Sequence, residues 1–469
     1  MKGGKQKIFE TTKTCPHENR TESEGNEGGQ TYIRMTENEA TDNKQTSYGT
    51  LEFIVSPSNL NAAFKRVRSN KGAGGVDKME TGNLKDYLVI HKDELISSIE
   101  GGKYRPNPVR RVEIPKDNGS KRQLGIPTVV DRVIQQAITQ VLVPVYEPQF
   151  SDHSYGFRPR RNAHQALRKC QEYITEGYEW AVEMDLEKFF DTVSHSKLIE
   201  VISRTIKDGR VVSLIHKYLR AGIVFGGKLE SSDKGVPQGG PLSPLLSNIM
   251  LNELDKELEH RGHKFVRYAD DIVILCKSRR SAERTLESII IFVEKKLFLK
   301  VNREKSRISH ISGIKFLGYS FYQKDGTCRL RLHPKSILKM KARIKELTSR
   351  SNGWGNDRRK EALRQYIFGW VQYFKMADMI SLLAKTDEWY RRRIRMVIWK
   401  QWKRTKTKMA NLIKLGVKKS KAYEWANTRK SYWHTANSFI LKTTITTERL
   451  RKAGFIFLSD YYRKVSVVS

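Results

Sequence analysis

Apolar positions along this chain change their period several times, and each change marks an element. From Ser56 to Ser69, Leu60, Ala63, Phe64 and Val67 fall on one helical face, and Lys71-Gly72-Ala73-Gly74-Gly75 ends that helix in a turn. Between Val112 and Ile126 two short runs flank Asp117-Asn118-Gly119, the pattern of a β-hairpin. Residues 129–144 and 162–175 read as helices, Glu179 to Asp185 as a short strand, and a helix follows from Ser194. Pro241 to His260 is a helix with Leu242, Leu245, Leu246, Ile249, Met250 and Leu254 as its buried stripe. Lys264 to Leu275 reads as a tight hairpin, 281–297 as a helix, and Gly313 to Phe321 with Thr327 to Leu332 as another hairpin. Beyond Pro334 the period is helical throughout. Leu363, Tyr366, Ile367, Trp370, Val371 and Phe374 share one face, and Ile394, Ile398 and Trp402 form a row on the next helix. Residues 1–50 show little periodicity and read as a mobile leader.

Charge changes this picture. The 469 residues include 87 Lys+Arg against 51 Asp+Glu, a formal net charge of +36, far more than solubility requires. Of this, +25 falls in residues 331–469 and −1 in residues 1–50, leaving +12 for the stretch between. A large polyanion is the natural partner, bound mainly by the C-terminal third. A merely basic soluble protein is the plainer alternative, and the apolar β runs argue against it. The cysteines, at 15, 170, 276 and 328, have no metal-site or disulfide spacing. No apolar run reaches membrane-spanning length and no signal peptide is evident, so a cytoplasmic, nucleoid-associated protein with no membrane partner is expected.

Candidate chemistry sits in the Lys264–Leu275 hairpin, where Asp270 and Asp271 stand between Val266/Tyr268 and Ile272–Leu275. Most Asp-Asp pairs are solvated turns. Two acids at the end of an apolar sheet are costly unless a cation meets them. Asp185, at the end of the strand Trp180–Met184, is the best third acid; a helix N-cap is its other reading. Carboxylates of this kind would clamp two Mg²⁺ ions, about 3.5–4 Å apart, to activate an attacking hydroxyl and stabilise leaving pyrophosphate. Because neighbours on a strand point oppositely, Asp270 is the expected stronger ligand and Asp271 the secondary one. Lys116 and Arg122 flank the first hairpin's turn and could reach a triphosphate together. The loop Gly235-Val-Pro-Gln-Gly-Gly-Pro-Leu-Ser243 suits close backbone approach by a base pair or ribose, or is a plain helix entry. Around the Ile394 row lie Arg391, Arg392, Arg393, Arg395, Lys400, Lys403 and Arg404, which are read as RNA-facing, while the aromatics are read as core.

These residues resemble a known family. Tyr268-Ala269-Asp270-Asp271 resembles the reverse transcriptase signature. Pro115-Lys116 … Arg122-Gln-Leu-Gly-Ile-Pro, Tyr155-Gly-Phe-Arg-Pro, Val236-Pro-Gln-Gly-Gly-Pro-Leu-Ser-Pro244 and Phe316-Leu-Gly318 resemble, in order and spacing, group II intron-encoded proteins. Gly369-Trp370, Tyr373-Phe374, Arg391-Arg392-Arg393 and Trp399-Lys-Gln-Trp402 resemble their maturase-specific domain. The resemblance implies an α+β right-hand polymerase, with fingers and palm on an antiparallel sheet, followed by an all-α basic thumb. The corresponding boundaries are a fingers extension over 51–95, fingers and palm over 96–322, and the thumb/maturase region over 330–469 with a short C-terminal DNA- or RNA-binding segment. It implies copying of RNA into DNA from deoxynucleoside triphosphates and a DNA primer, at target DNA, for retrohoming. It also implies assistance to splicing within a ribonucleoprotein with the group II intron RNA. Asp185, Leu186, Asp270 and Asp271 would be the metal positions; Lys116, Arg122 and Gln238 would hold nucleotide; Phe190 would exclude a 2′-hydroxyl. Lys305 would be a general acid for pyrophosphate, or an exposed helix-flanking lysine. With no clustered Cys/His motif before Ser469, the chain most resembles the compact bacterial lineage lacking an endonuclease, which implies priming from an existing DNA 3′ end. Two rival readings are a splicing cofactor that binds RNA without polymerising, and a defence or retron-type reverse transcriptase.

Overall fold

The computed structural model describes residues 49–115, 119 and 121–466. The leader over 1–48, together with Lys116, Asp117 and Asn118, lies outside the described residues. The chain divides between His333 and Pro334 into two compact units.

In the first unit, helices Leu51–Val55 and Pro57–Ser69 pack on the long helix Val129–Tyr146. Asn59 donates to the Ala137 carbonyl at 3.1 Å and accepts from Gln140 at 2.6 Å, so polar bonds fix the seam as well as apolar burial. Ten strands follow in order: β1 (Val109–Pro115), β2 (Lys121–Ile126), β3 (Trp180–Met184), β4 (Ile223–Phe225), β5 (Lys228–Glu230), β6 (Lys264–Tyr268), β7 (Asp271–Cys276), β8 (Arg307–His310), β9 (Tyr319–Lys324) and β10 (Thr327–Leu332). One sheet has the order β2-β1-β4-β5, antiparallel except for the β1–β4 pair. A second, β6-β7-β3-β8, is antiparallel throughout. The third is the β9–β10 hairpin.

Ile272 to Cys276 are buried without alternation. Such a run needs cover on both faces. Helix Arg279–Lys295 packs on β3, β7 and β8, while Ala163–Thr175 and Ser243–His260 pack against β6. Val182, Met184, Phe265, Ile272 and Ile274 join Ile249, Leu254, Ile289 and Val293 in one core. The α+β class expected from the resemblance is the class observed.

Two sequence expectations shift. The second hairpin starts at Tyr319, not Gly313: Ile311–Gly313 is a single 3₁₀ turn, and Leu317 and Gly318 turn the chain through positive φ before pairing begins. Lys305 lies in a turn leading into β8, ten residues beyond the end of helix Arg279–Lys295.

The second unit is helical: Pro334–Leu347, Asn356–Phe374, Ile380–Gln401 and six shorter helices ending with Leu458–Ser466. Leu363, Ile367, Trp370, Val371 and Phe374 are buried, as their spacing predicts. Asp387 is buried and accepts from the backbone N–H of Leu458 and Ser459 at 3.0 and 2.8 Å, satisfying two orphan donors of the last helix. No described helix is long and apolar enough to cross a membrane.

Candidate active site

The site is built at one end of the β6-β7-β3-β8 sheet. Tyr268 pairs with Asp271, so Ala269 and Asp270 alone form the loop of a two-residue hairpin. On the neighbouring strand Met184 pairs with Ile272, and one residue further Asp185 leaves the sheet beside Asp271. The three acids, 85 positions apart in the chain, therefore reach the same sheet edge. Asp185 is half-buried; Asp270 and Asp271 are exposed. The Asp185 backbone is fixed by the 302–306 turn: its N–H donates to Ser306 Oγ at 3.0 Å and its carbonyl accepts from the Asn302 N–H at 2.8 Å. That turn carries Lys305, whose Nζ lies 3.5 Å from Asp185 Oδ2. Leu186 is a core side chain, so its carbonyl is the only group it can offer a cation. Among the described residues no three His, Cys, Asp or Glu side chains are drawn into a closed ligand group. The donor chemistry at the edge, oxygen from three carboxylates and one carbonyl, fits a hard divalent ion.

A second cluster lies where the Gly235–Ser243 loop meets β2. Arg122 Nε donates to Gln238 Oε1 at 3.1 Å, and the Gly125 N–H donates to the Gln238 carbonyl at 2.6 Å. The Val236 N–H donates to the Phe190 carbonyl at 2.6 Å, which ties the loop to the segment after β3. Gly235, at φ +95°, leaves no room there for a Cβ, which would meet the Phe190 and Asp191 carbonyls at 2.9 and 3.0 Å. His195, buried on the next helix, bonds the Gly235 carbonyl through Nε2 at 2.7 Å. Burial holds its pKa below the ordinary imidazole value. Phe190 is half-buried, with its ring edge-on to Phe189 at 5.2 Å. Arg122, Gln238 and Phe190 are thus linked by hydrogen bonds through one loop; Lys116 lies outside the described residues.

With this geometry in place, comparison with known proteins is decisive. Residues 114–321 match the reverse transcriptase (RNA-dependent DNA polymerase) family, and residues 337–416 match the group II intron maturase-specific domain. The chain is 35% identical to protein YkfC of Escherichia coli over 58% of its own length and 83% of that protein's. The chain belongs to the group II intron-encoded reverse transcriptase–maturase family. It is also 30% identical to the group II intron-encoded protein LtrA of Lactococcus lactis over 72% of this chain, and 26% identical to nuclear intron maturase 2 of Arabidopsis thaliana over 40% of it. It spans 64% of LtrA's length and 37% of the plant protein's.

This reverse transcriptase supports its acidic hairpin with residues that periodicity does not single out. Arg267, on β6, and Asp255, on helix Ser243–His260, both have fully buried side chains and pair through two short bonds, Nε–Oδ1 at 2.8 Å and Nη2–Oδ2 at 2.5 Å. Arg267 Nη1 also donates to Asn248 Oδ1 at 2.9 Å and to the Ala269 carbonyl at 3.0 Å. Asn248 Nδ2 in turn donates to the Gly156 carbonyl at 2.9 Å. Gly156 lies so close to Tyr268 and Ala269 that any side chain there would strike their backbone. The sequence signal was a charged residue, Arg267, following directly on the apolar pair Phe265 and Val266.

In the maturase-specific domain the arginines divide. Arg395 is 7% exposed and donates to the Ile445 carbonyl at 2.9 Å. Arg393 donates to Thr348 Oγ1 at 2.5 Å and to the Lys345 and Thr348 carbonyls. Arg392 stacks on Trp433 with its guanidinium carbon 3.8 Å from the ring centroid and donates to that residue's carbonyl. Burial lowers the pKa of both Arg393 and Arg395. Arg391 sits 5.7 Å over Phe457, and Lys400 donates to the Arg350 carbonyl at 2.8 Å. Lys403 and Arg404 are exposed. Burial and internal bonding make Arg395 a packing residue, although its charge reads in sequence as a nucleic-acid contact.

Proposed function

We propose that this protein copies RNA into DNA at the Asp185–Asp270–Asp271 edge and assists splicing of its intron RNA through the basic second unit. The observation that carries the polymerase reading is the β3–β7 register, which brings Asp185 alongside Asp271 at the hairpin tip. Asp185, Asp270, Asp271 and the Leu186 carbonyl would hold Mg²⁺. A pair of such ions supplies the Lewis acidity that activates a primer 3′-hydroxyl and balances charge on the leaving pyrophosphate. Arg122 offers its guanidinium to the triphosphate, and Gln238, held by Arg122, faces the nucleotide beside it. Phe190, anchored through its own carbonyl, stands where a ribose 2′-hydroxyl would have to fit. Lys305, its Nζ 3.5 Å from Asp185 Oδ2, would serve as the general acid for pyrophosphate.

For the second unit, Lys403 and Arg404 are proposed as phosphate contacts for group II intron RNA; Arg391, Arg392, Arg393 and Lys400 are proposed as supporting that surface. Target DNA, a DNA primer and deoxynucleoside triphosphates complete the proposed partners.

The test is Asp270→Ala in two assays on one preparation. Primer extension on an RNA template should be lost while splicing of the intron is retained. Full extension by the variant overturns the metal assignment. Splicing without extension in the unaltered protein would favour a splicing cofactor that does not polymerise.

A further inference from the structure

Ala269 is the residue on which the acidic hairpin turns. Its φ is +57°, in the left-handed region where glycine is normally required, and it occupies the first loop position of a two-residue hairpin. An L-residue stays there only when its surroundings over-determine it. Here they do so from both sides. The Ala269 carbonyl is held by Arg267 Nη1, and its N–H side is closed off by Gly156.

The Arg267 side chain cannot drift, because Asp255 takes its Nε and Nη2 and Asn248 takes the remaining hydrogen-bonding capacity of Nη1. The loop carrying Gly156 is attached to the same unit. Asn248 holds its carbonyl, the Tyr155 N–H donates to the Arg267 carbonyl at 2.9 Å, and the Arg267 N–H donates to the His153 carbonyl at 2.9 Å. A fully buried ion pair is weak evidence for stability as such, since an apolar pair of the same volume often does as well. A forked cation is needed only if one group must meet a carboxylate, an amide and a turn carbonyl at once.

We infer that Asp255, Arg267 and Asn248 form a buried clamp that positions Asp270 for its metal by holding the Ala269 carbonyl. The inference rests on the proposed metal role of Asp270. These three are positioning residues; none touches substrate or ion. Arg267→Lys keeps the charge opposite Asp255 but loses the fork, so it cannot hold both Asp255 and Ala269. Asn248→Ala leaves the ion pair and the backbone bonds of the Gly156 loop intact, and removes the donor to the Gly156 carbonyl and the acceptor that fixes one side of Nη1.

The experiment is direct titration of the full-length protein with Mn²⁺ alone, followed by electron paramagnetic resonance. Thermal melting and the Mg²⁺ dependence of primer extension are measured alongside it. Both variants should bind Mn²⁺ roughly tenfold more weakly, the usual cost of losing a group that orients a metal ligand. Half-maximal extension should need correspondingly more Mg²⁺, with KM for the heteroduplex unchanged. Wild-type Mn²⁺ affinity in folded Asn248→Ala overturns the clamp, and Asn248→Ala decides alone if Arg267→Lys does not fold. Asp270→Asn separates the two readings. If it too binds Mn²⁺ normally, the metal role falls and the clamp with it; if it loses Mn²⁺ while Asn248→Ala does not, only the clamp falls.

Discussion

Arginine is buried in both units, and what it meets there differs. In the first unit the fully buried guanidinium of Arg267 faces a fully buried carboxylate, Asp255, and the charges cancel. In the second, the buried Arg395 and the half-buried Arg393 meet carbonyls and a hydroxyl instead, at Ile445, Lys345 and Thr348. The difference follows from composition. Residues 331–469 carry 34 Lys+Arg and only 9 Asp+Glu, so too few carboxylates exist there to pair with the cations. A carbonyl dipole satisfies hydrogen bonds without removing net charge. The second unit can therefore build internal structure from arginine and still present a strongly positive field to a polyanion. The first unit neutralises its buried cation, so the carboxylates at its hairpin tip face a more nearly balanced interior.

Removing each arginine breaks this comparison most directly. Arg267→Ala strands the Asp255 carboxylate in the core and should destabilise the first unit by about 3–5 kcal/mol. Arg395→Ala leaves only the Ile445 carbonyl without its donor and should cost about 1–3 kcal/mol. Urea midpoints for the two transitions measure both. Equal losses would mean that the partner's charge is irrelevant.

Phe190→Ala comes next in size. The loop that carries Gln238 bonds the Phe190 backbone carbonyl and not its ring, so trimming the side chain removes the ring while leaving that tie in place. Discrimination against ribonucleotides should fall by roughly tenfold or more, as expected when a steric contact worth a few methylenes is removed. Single-nucleotide incorporation with matched ribo- and deoxynucleotides reads this, and unchanged selectivity removes Phe190 from the gate. A smaller effect belongs to the surface of the second unit. Neutralising Lys403 and Arg404 should lower the salt slope of intron RNA binding by about 1.4, at roughly 0.7 per phosphate contact on single strands. Neutralising Arg395 should leave the slope unchanged and lower only stability. A slope that falls with Arg395 would mean that this buried arginine reaches RNA after all.

How much of this was legible in the sequence depends on the reach of each interaction. The apolar faces of 57–69, 129–146 and 356–374 were readable because they repeat within a few residues. The acidic hairpin was readable because its two-residue loop lies between two β runs. β4 and β5 are three residues each, too short for any period to register. The 313–318 segment looked like strand because apolar Ile314, Phe316 and Leu317 mask a turn made by backbone φ alone. Arg395 could not be told from Arg404 by helical spacing, since the carbonyl that takes its guanidinium lies 50 residues away. Lys305 met Asp185 across 120 positions, because β8 pairs with β3 and the 302–306 turn bonds the Asp185 backbone.

His195 gives the smallest effect and tests the loop that joins Arg122, Gln238 and Phe190. Its ring is buried against the Gly235 carbonyl, and burial lowers its pKa in the folded protein below the value of about 6.5 that it has when unfolded. Between those two values the unfolded chain binds the extra proton, so stability rises with pH through that window and is lost as pH falls below about 6.5. His153 and His263 shift in the same direction, also through burial, so the histidine contribution to the acid limb is shared among these three groups. His195→Gln keeps an N–H donor for Gly235 and removes the titration. Its melting temperature should decline less steeply than that of the unaltered protein between pH 6.5 and 5, with incorporation at pH 8 retained. A decline of unchanged slope would remove His195 from the acid sensitivity, and would mean that the Gly235 loop keeps its geometry whatever the charge on His195.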